Sequence, residues 1–249
     1  MQKTVVKGLT VLEYLVQAAR PVALGDVAEN CGISKSNAHR LLHTLAACGY
    51  AHHDSLTRNY QATLRMWDLG ARVYDKMELR RLAAPHLDWL ASATEETVHL
   101  AVLDNYEALY IDNVDGIHAV RTYVNVGDRA PAYASASGKA MLAYQPEEVV
   151  EKVASRIERH TEKTVADLSE LKEHLARIRE SGFSVTFGEW REGVTAVSRA
   201  ICDTDGAVLA AIGVAGPNDR TARTEMETLK AAVAEAASRI ERALKESRS

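Results

Sequence analysis

The chain has 249 residues, 47% of them hydrophobic and 26% charged, with a net charge of −4 at neutral pH. That length exceeds a single small domain and supplies apolar material for more than one core, so two domains are expected. The absence of any apolar run near membrane-span length, of a secretory pattern at MQKTVVKGLTVLEYLV and of paired cysteines (Cys31, Cys48 and Cys202 sit apart among small or apolar neighbours) excludes membrane-embedded and disulfide-framework classes and predicts a reduced, cytoplasmic protein.

The first element in chain order is that same N-terminal run, which reads as an amphipathic helix. Val22 to Tyr50, VALGDVAENCGISKSNAHRLLHTLAACGY, then reads as two short helices around a glycine turn. Leu24, Val27 and Ala28 recur at helical spacing, and Gly32 is placed as a left-handed cap beyond Cys31. Ile33 is expected to plug the core, and Ser34 stands where a helix N-cap belongs. The helix that Ser34 starts carries Ala38, Leu41, Leu42 and Leu45 on one stripe, leaving Lys35, Ser36, Asn37, His39, Arg40 and His43 largely on the other faces. Those are the residue types a recognition helix presents to base edges and phosphates: Asn37 suits adenine, Arg40 guanine or a phosphate, and Ser34 and Ser36 suit phosphate oxygens. A solvated polar face would look the same in isolation.

After Gly49, YAHHD and NYQA read as two strands joined by the polar loop SLTR, which makes a wing with Arg58 near its tip, placed for the phosphate backbone or the minor groove. His52 and His53 are adjacent, but no residue at ligand spacing completes a metal site, so neither metal nor cofactor is expected. The charge divides unevenly: residues 1–65 hold seven Lys/Arg against four Asp/Glu, a local +3, and the remainder carries −7. A mildly basic head on an acidic body fits a modular regulator, and so modest a positive footprint calls for two or more heads on one operator.

Leu64, Trp67, Leu69 and Val73 then give an amphipathic linker helix whose apolar face fits either a partner subunit or its own domain. Leu79, Leu82, Leu87 and Leu90 give a second helix, bent near Pro85. From Thr97 the period changes, and VHLAVLD, EALYIDNV and HAVRTYV are read as strands, with Asp104-Asn105 turning the first hairpin. Three helices follow, at SGKAMLAYQ, EEVVEKVASRI and LSELKEHLARIRESG, the last closed by Gly182. Strands return at FSVTFGEW, TAVSRAICD and VLAAIGVAG, with Asp205-Gly206 turning the last hairpin, and a final helix runs from about Thr221 to Lys245. The fold class is α+β, with an antiparallel sheet in the second domain. The expected divisions are 1–63 for the winged helix-turn-helix, 64–78 for the linker helix and 79–249 for the sensor-like domain.

In their order and spacing, these elements resemble the IclR family of bacterial transcriptional regulators over nearly the full chain. The resemblance rests on GLTVLEYL, LGDVAENCGISKSNAHRLLHTLAACGY, the wing ending in NYQAT, VHLAVLDNYEALYIDNV, VGDRAPAYASASGKAMLAY, TEKTVADLSEL at 161–171, and ICDTDGAVLAAIGVAGP. It implies a winged helix-turn-helix, a linker helix and a C-terminal GAF-like domain that binds a small effector. It also implies dimers or dimers of dimers, repression or activation at double-stranded DNA operators, and effectors that are mostly small carboxylates or aromatic acids. Carried over by position, it implicates Tyr123, Arg129, Tyr133, Ser135, Ser137, Gly138, Thr186, Val194, Ala196, Gly213 and Ala215 in effector binding. Tyr133 stands where the family pattern often has histidine.

The residues agree in part. Ser135, Ser137 and Gly138 precede or open a helix, where hydroxyls and free amides suit a carboxylate or merely cap the helix. Arg129 supplies a counter-charge or pairs with Asp128 or Asp112, and Tyr123 and Tyr133 offer aromatic walls that favour a flat acid. Enzyme readings fail on the same residues. SASGK departs from a phosphate loop at Tyr133 and Ala140, no G-x-S-x-G elbow surrounds Ser135 or Ser137, and His99, His118, His160 and His174 have no placed triad partner. Glu189 and Glu192, near Trp190, could form an acid pair, but two acids in a polar loop read as solvated. The expectation is an effector-controlled DNA-binding regulator and not an enzyme; the alternative is a small-molecule sensor or enzyme with a non-functional DNA-binding head.

Overall fold

A computed structural model describes residues 2–221 and 226–247. The chain divides into two compact units, Met1–Met77 and Glu78–Ser249.

The first unit opens with helix α1 (Lys3–Gln17), which buries Val11, Leu12 and Leu15. Helix α2 (Leu24–Asn30) and helix α3 (Lys35–Ala47) follow, then strands β2 (Ala51–His53) and β3 (Asn59–Ala62) and helix α4 (Arg65–Asp75). A two-residue strand β1 (Val22–Ala23), too short to leave a periodic signature, pairs antiparallel with β3 and completes a sheet of order β1-β3-β2. Val11, Leu15, Val27, Ala38, Leu42 and Tyr60 form the core, with Ile33, Leu41 and Leu45 partly buried around it. Gly32 between α2 and α3 has φ +61, a conformation that costs a side-chain-bearing residue roughly 1 kcal/mol or more, and this lets the Ile33 amide turn back onto the Ala28 carbonyl at 2.9 Å. Helix α4 buries none of its residues: Leu64 just before it and Trp67 and Val73 within it are 83%, 74% and 68% exposed.

The second unit begins with helix α5 (Glu78–Thr94), with Pro85 inside it. Strands β4 (Thr97–Asp104), β5 (Glu107–Val114) and β6 (Arg129–Pro131) come next, followed by helices α6 (Ala136–Leu142), α7 (Glu147–Ala154) and α8 (Leu168–Ser181). Strands β7 (Ser184–Phe187), β8 (Val194–Cys202) and β9 (Val208–Pro217), a turn of helix α9 (Asn218–Thr221) and helix α10 (Met226–Ser247) complete it. The six strands form one antiparallel sheet of order β6-β5-β4-β9-β8-β7. Burial is unbroken from Ala210 to Gly216 along the central strand β9, as expected where both faces of a sheet are covered. Helices α5 and α10 pack together and on the central strands, and α6 packs on β4, β8 and β9. Among the described residues no helix is long and apolar enough to cross a membrane.

The expected strand HAVRTYV does not form. Its backbone carbonyls are taken by side chains and not by a neighbouring strand: Arg220 donates to Val120 O (2.9 Å), Thr97 Oγ1 to Thr122 O (2.8 Å) and Arg191 to Tyr123 O (3.2 Å). The run is therefore a stitched loop, and the edge strand is the shorter β6. The first hairpin turns on Asn105-Tyr106, both at positive φ, one residue beyond the expected pair. The Arg156 guanidinium lies over the Tyr106 ring at 4.7 Å and holds the turn from outside. In the expected final helix, Thr221 closes α9, residues 222–225 lie outside the described residues, and α10 extends past Lys245 to Ser247.

Candidate nucleic-acid interface and ligand cavity

In the first unit, Ser34 caps α3 by accepting from the Asn37 amide at 3.3 Å, which fixes where the helix begins. Lys35, Ser36, His39 and Arg40 are then exposed on one side of the helix while Ala38 and Leu42 are wholly buried on the other. Asn37 is half-buried. The wing loop is built on Asp54, whose carboxylate accepts from the amides of Leu56 (2.8 Å) and Thr57 (3.3 Å) and from the Thr57 hydroxyl (2.8 Å); these bonds hold its pKa below the usual carboxylate range. Arg58 closes the loop at φ +58, its amide donating to Asp54 O at 2.7 Å, and its side chain is exposed. Leu56, 92% exposed at the same tip, was not singled out by the sequence. Lys35, Arg40 and Arg58 have no acidic partner among the described residues. In the second unit Arg80, Arg121, Arg129, Arg220 and Arg239 are each matched to a carboxylate.

The second unit contains a narrow cavity of about 40 Å³, open to solvent on one side. It lies between the sheet, the loop before α6 and the β7–β8 connection. Tyr110 and Trp190 supply its aromatic surface, with Val124, Val194, Ala134, Ala136, Ala196 and Ala215 as smaller apolar lining. His99, Thr122, Ser135, Thr186, Glu189 and Arg191 are its polar groups. Arg191 is exposed and stacks over the Trp190 ring at 4.2 Å, so the lining cation sits at the solvent side. Burial pushes the Tyr110 hydroxyl up to about 12, with Arg191 pulling the other way.

Of the residues singled out by the sequence, Ser135, Thr186, Val194, Ala196 and Ala215 line this cavity. The others are placed differently. Ser137 is 1% exposed and turned into the protein, where its Oγ lies 2.9 Å from His99 Nε2 and 3.1 Å from Ser198 Oγ. Gly138 is a packing residue: a Cβ there would lie 2.4 Å from Ala132 Cα and 2.6 Å from Ala132 O. Gly213 has the same role against Ser198 Oγ at 2.0 Å. The Tyr123 side chain is 59% exposed. Arg129 pairs with Asp104 and Glu107, neither of the two partners anticipated. The Tyr133 hydroxyl accepts from the Glu158 amide at 2.9 Å and bonds His160 Nε2 at 2.9 Å, over which its ring stacks.

The sequence missed His99, Tyr110, Thr122, Glu189, Trp190 and Arg191. Glu189 is a correction. It is 7% exposed, not solvated, and receives two hydrogen bonds (2.8 and 2.6 Å) from the Nζ of Lys139, itself 1% exposed and 3.1 Å from His174 Nδ1. Burial lowers the Lys139 pKa and raises that of Glu189, their mutual attraction opposing both shifts. Burial, with Lys139 and Arg177 nearby, takes His174 down to about 4. Ser137 gives His99 a hydrogen-bond partner that the sequence did not place, without completing a triad. Their spacing is that of a nucleophile and its base, yet no carboxylate orients the imidazole, Ser137 Oγ is shared with Ser198, and Ser137 does not line the cavity. Burial holds His99 down to about 4, so it is neutral at physiological pH.

Comparison with known proteins covers both units. The family model for the bacterial transcriptional regulator IclR C-terminal domain matches residues 71–242, and that for the IclR helix-turn-helix domain matches residues 4–55. The chain is 30% identical to the transcriptional repressor IclR of Escherichia coli over 242 residues, 96% of this chain and 88% of that protein. It is 29% identical to the transcriptional regulator KdgR of E. coli over 239 residues, 95% and 90% of the two chains. Among solved structures, an IclR homologue from Microbacterium hydrocarbonoxydans complexed with 4-hydroxybenzoate superposes with a TM-score of 0.83 at 26% identity, covering 98% of this chain and all of that one. IclR of Thermotoga maritima gives 0.73 at 27% identity, with 97% and 98% covered.

Proposed function

The chain belongs to the IclR family of bacterial transcriptional regulators, and from that premise we propose that a small organic acid bound in the second unit controls how the first unit engages an operator. Helix α3 enters the major groove with Ser34, Lys35, Ser36, Asn37, His39 and Arg40 at its leading end, and the wing sets Arg58 on the backbone or minor groove. The observation that carries this reading is the contrast in ion pairing. Lys35, Arg40 and Arg58 of the helix and wing are all exposed without acidic partners among the described residues, whereas in the second unit Arg80, Arg121, Arg129, Arg220 and Arg239 are held by carboxylates. Unpaired cations on one face are what phosphate contact and counterion release require.

The effector is a flat, preferably aromatic, carboxylate. Tyr110 and Trp190 supply the stacking surface, and Arg191 meets the carboxylate at the open side. The relative crystallised with 4-hydroxybenzoate supports that class. Two copies act together, joined through the unburied apolar residues of α4 (Trp67, Val73) and α1 (Val5 and Leu9, each 54% exposed). The effector shifts the equilibrium between two placements of the paired heads by its difference in affinity for them.

The test is a salt series of gel shifts on the promoter beside the gene. Sequence-specific retention is expected, and Arg40→Ala should weaken it about tenfold and reduce the salt slope by roughly one without lowering thermal stability. No specific retention at any salt would favour a sensor whose head no longer reads DNA.

A further inference from the structure

Strand β7 ends the six-stranded sheet and pairs only with β8. The bond from the Gly188 amide to Val194 O (2.7 Å) sets the phase of that ladder. In the register that follows, Ser184 with Ser198 and Thr186 with Ala196 exchange the hydrogen bonds, so the amides and carbonyls of Val185 and Phe187 point away from β8 at the open edge. On the other flank of β8 the Asn218 amide bonds Gly193 O at 2.8 Å, which gives Thr195 and Val197 to β9 and fixes the same phase independently. The opposite edge of the sheet is guarded: β6 has three residues and carries Arg129 and Pro131, a charge and a ring without an N–H. β7, with the sequence SVTF, has neither device. The residues of its open edge line a groove of about 290 Å³, with Phe183, Val185 and Phe187 on one side and Arg177 and Ile178 of α8 on the other. Both phenylalanines of the chain lie on this groove, and Phe187 is 49% exposed.

We propose that this edge receives an extended acidic peptide of another protein as an added strand beside β7, its backbone bonding the amides and carbonyls of Val185 and Phe187 and a carboxylate meeting Arg177. Charge and shape select the occupant. Arg177 is exposed and forms no ion pair with a carboxylate among the described residues, and Arg199, whose guanidinium lies over the Phe183 ring at 5.5 Å, forms none either. The other two charges lining the groove, Lys139 and Glu189, neutralise each other at 2.6 Å. The groove is therefore net positive and suits an acid. Because α8 bounds it, the groove has room for one thin segment. A second copy of the chain would bring its own α8 and its own Arg177 to the same line and set like charges together. At about 3.3 Å per residue, a peptide of roughly four to six residues spans the edge, and its apolar side chains meet Phe187. Thr186, between the two open residues, lies on the other side of the pleat and lines the ligand cavity, so peptide and cavity share one strand.

The experiment selects a phage-displayed library of random peptides, about eight residues long to exceed the edge, on the full chain and in parallel on Val185→Pro. Proline there removes an amide that β8 does not use and leaves the β7–β8 ladder in place. Sequences with alternating apolar side chains and a carboxylate should be enriched on the wild type and not on the variant. A synthetic copy of the most enriched peptide should lose at least about tenfold in affinity in Val185→Pro and also in the surface variant Arg177→Glu, which keeps the test alive if the proline variant misfolds. Amide hydrogen exchange of the wild type reads the edge without any variant: Val185 and Phe187 should exchange freely in the peptide-free chain and slow at least about tenfold with peptide bound. No enriched sequence, affinity that survives both substitutions, or unchanged exchange at Val185 and Phe187 would overturn the proposal. Protection of those two amides in the peptide-free chain that disappears on dilution would overturn it as well, by giving the edge to a second copy.

Discussion

Replacing Glu189 by glutamine is the most revealing single change in the second unit. Lys139 Nζ lies 2.6 and 2.8 Å from the Glu189 carboxylate oxygens and 3.1 Å from His174 Nδ1, with Lys139 and Glu189 1% and 7% exposed. Removing one member of such a pair strands the other charge, at a cost of about 3–5 kcal/mol, whereas replacing both with apolar residues of similar size is close to neutral or stabilising. For a unit of this size that loss is a fall in Tm of roughly 6–20 °C. The pH dependence has a definite sign. Lys139 is already below its ordinary pKa through burial, and without the carboxylate it falls further. The unfolded chain then binds more protons than the folded one, so the stability of Glu189→Gln rises as pH is raised from 7 toward 10. Urea unfolding at pH 7 and pH 9.5, followed by the fluorescence of neighbouring Trp190, measures both effects, and Lys139→Met/Glu189→Leu should restore most of the midpoint. A Glu189→Gln midpoint equal to wild type at both pH values would refute the claim that this pair is a structural charge pair.

Three further outcomes follow from individual contacts. Ser34→Ala removes the cap of α3 and should cost the first unit about 1 kcal/mol, read as a lower midpoint for the helical signal of that unit; an unchanged midpoint would mean the 3.3 Å bond contributes nothing. Gly138→Ala places a methyl against Ala132 backbone and should destabilise the second unit by roughly 1–3 kcal/mol and weaken acid binding, whereas wild-type stability would show that the loop yields freely. His99, neutral down to about pH 4 when folded and titrating near 6.5 when unfolded, makes stability fall as pH drops from about 6.5 to about 4, by up to roughly 3 kcal/mol. His174 acts in the same direction, so His99→Phe should flatten that acid slope by roughly half, and an unaltered slope would count against buried His99 as its source.

The head was legible because its signals are local. Ser34, Gly32 and the Ala38–Leu42 stripe each act within a few residues of themselves, and each produced the structure its chemistry required. The cavity was legible only where it follows the loop before α6 and the small residues of β7, β8 and β9. Its remaining residues come together through pairings distant in sequence: His99 meets Ser137 across 38 positions and Lys139 meets Glu189 across 50. Nothing in the neighbourhood of Glu189 announces a buried cation elsewhere in the chain, so a loop acid beside an arginine reads as solvated. The lost strand HAVRTYV fails for a related reason. Its β-branched residues favour extended backbone, but the choice between ladder and loop was made by Arg191, Arg220 and Thr97 reaching its carbonyls.

Helix α4 has eleven residues and buries none of them. Isolated helices of that length are marginal in water, since one or two turns of hydrogen bonds barely offset the nucleation penalty. On the proposed pairing through Trp67 and Val73, α4 would gain from the second chain the packing it lacks alone, and its helix content would then depend on protein concentration; two recognition helices would acquire a fixed separation to compare with a stretch of DNA only in the pair. Operator selectivity on this view is a property that appears with assembly, and circular dichroism at increasing chain concentration should record it as helix gained before any DNA is added.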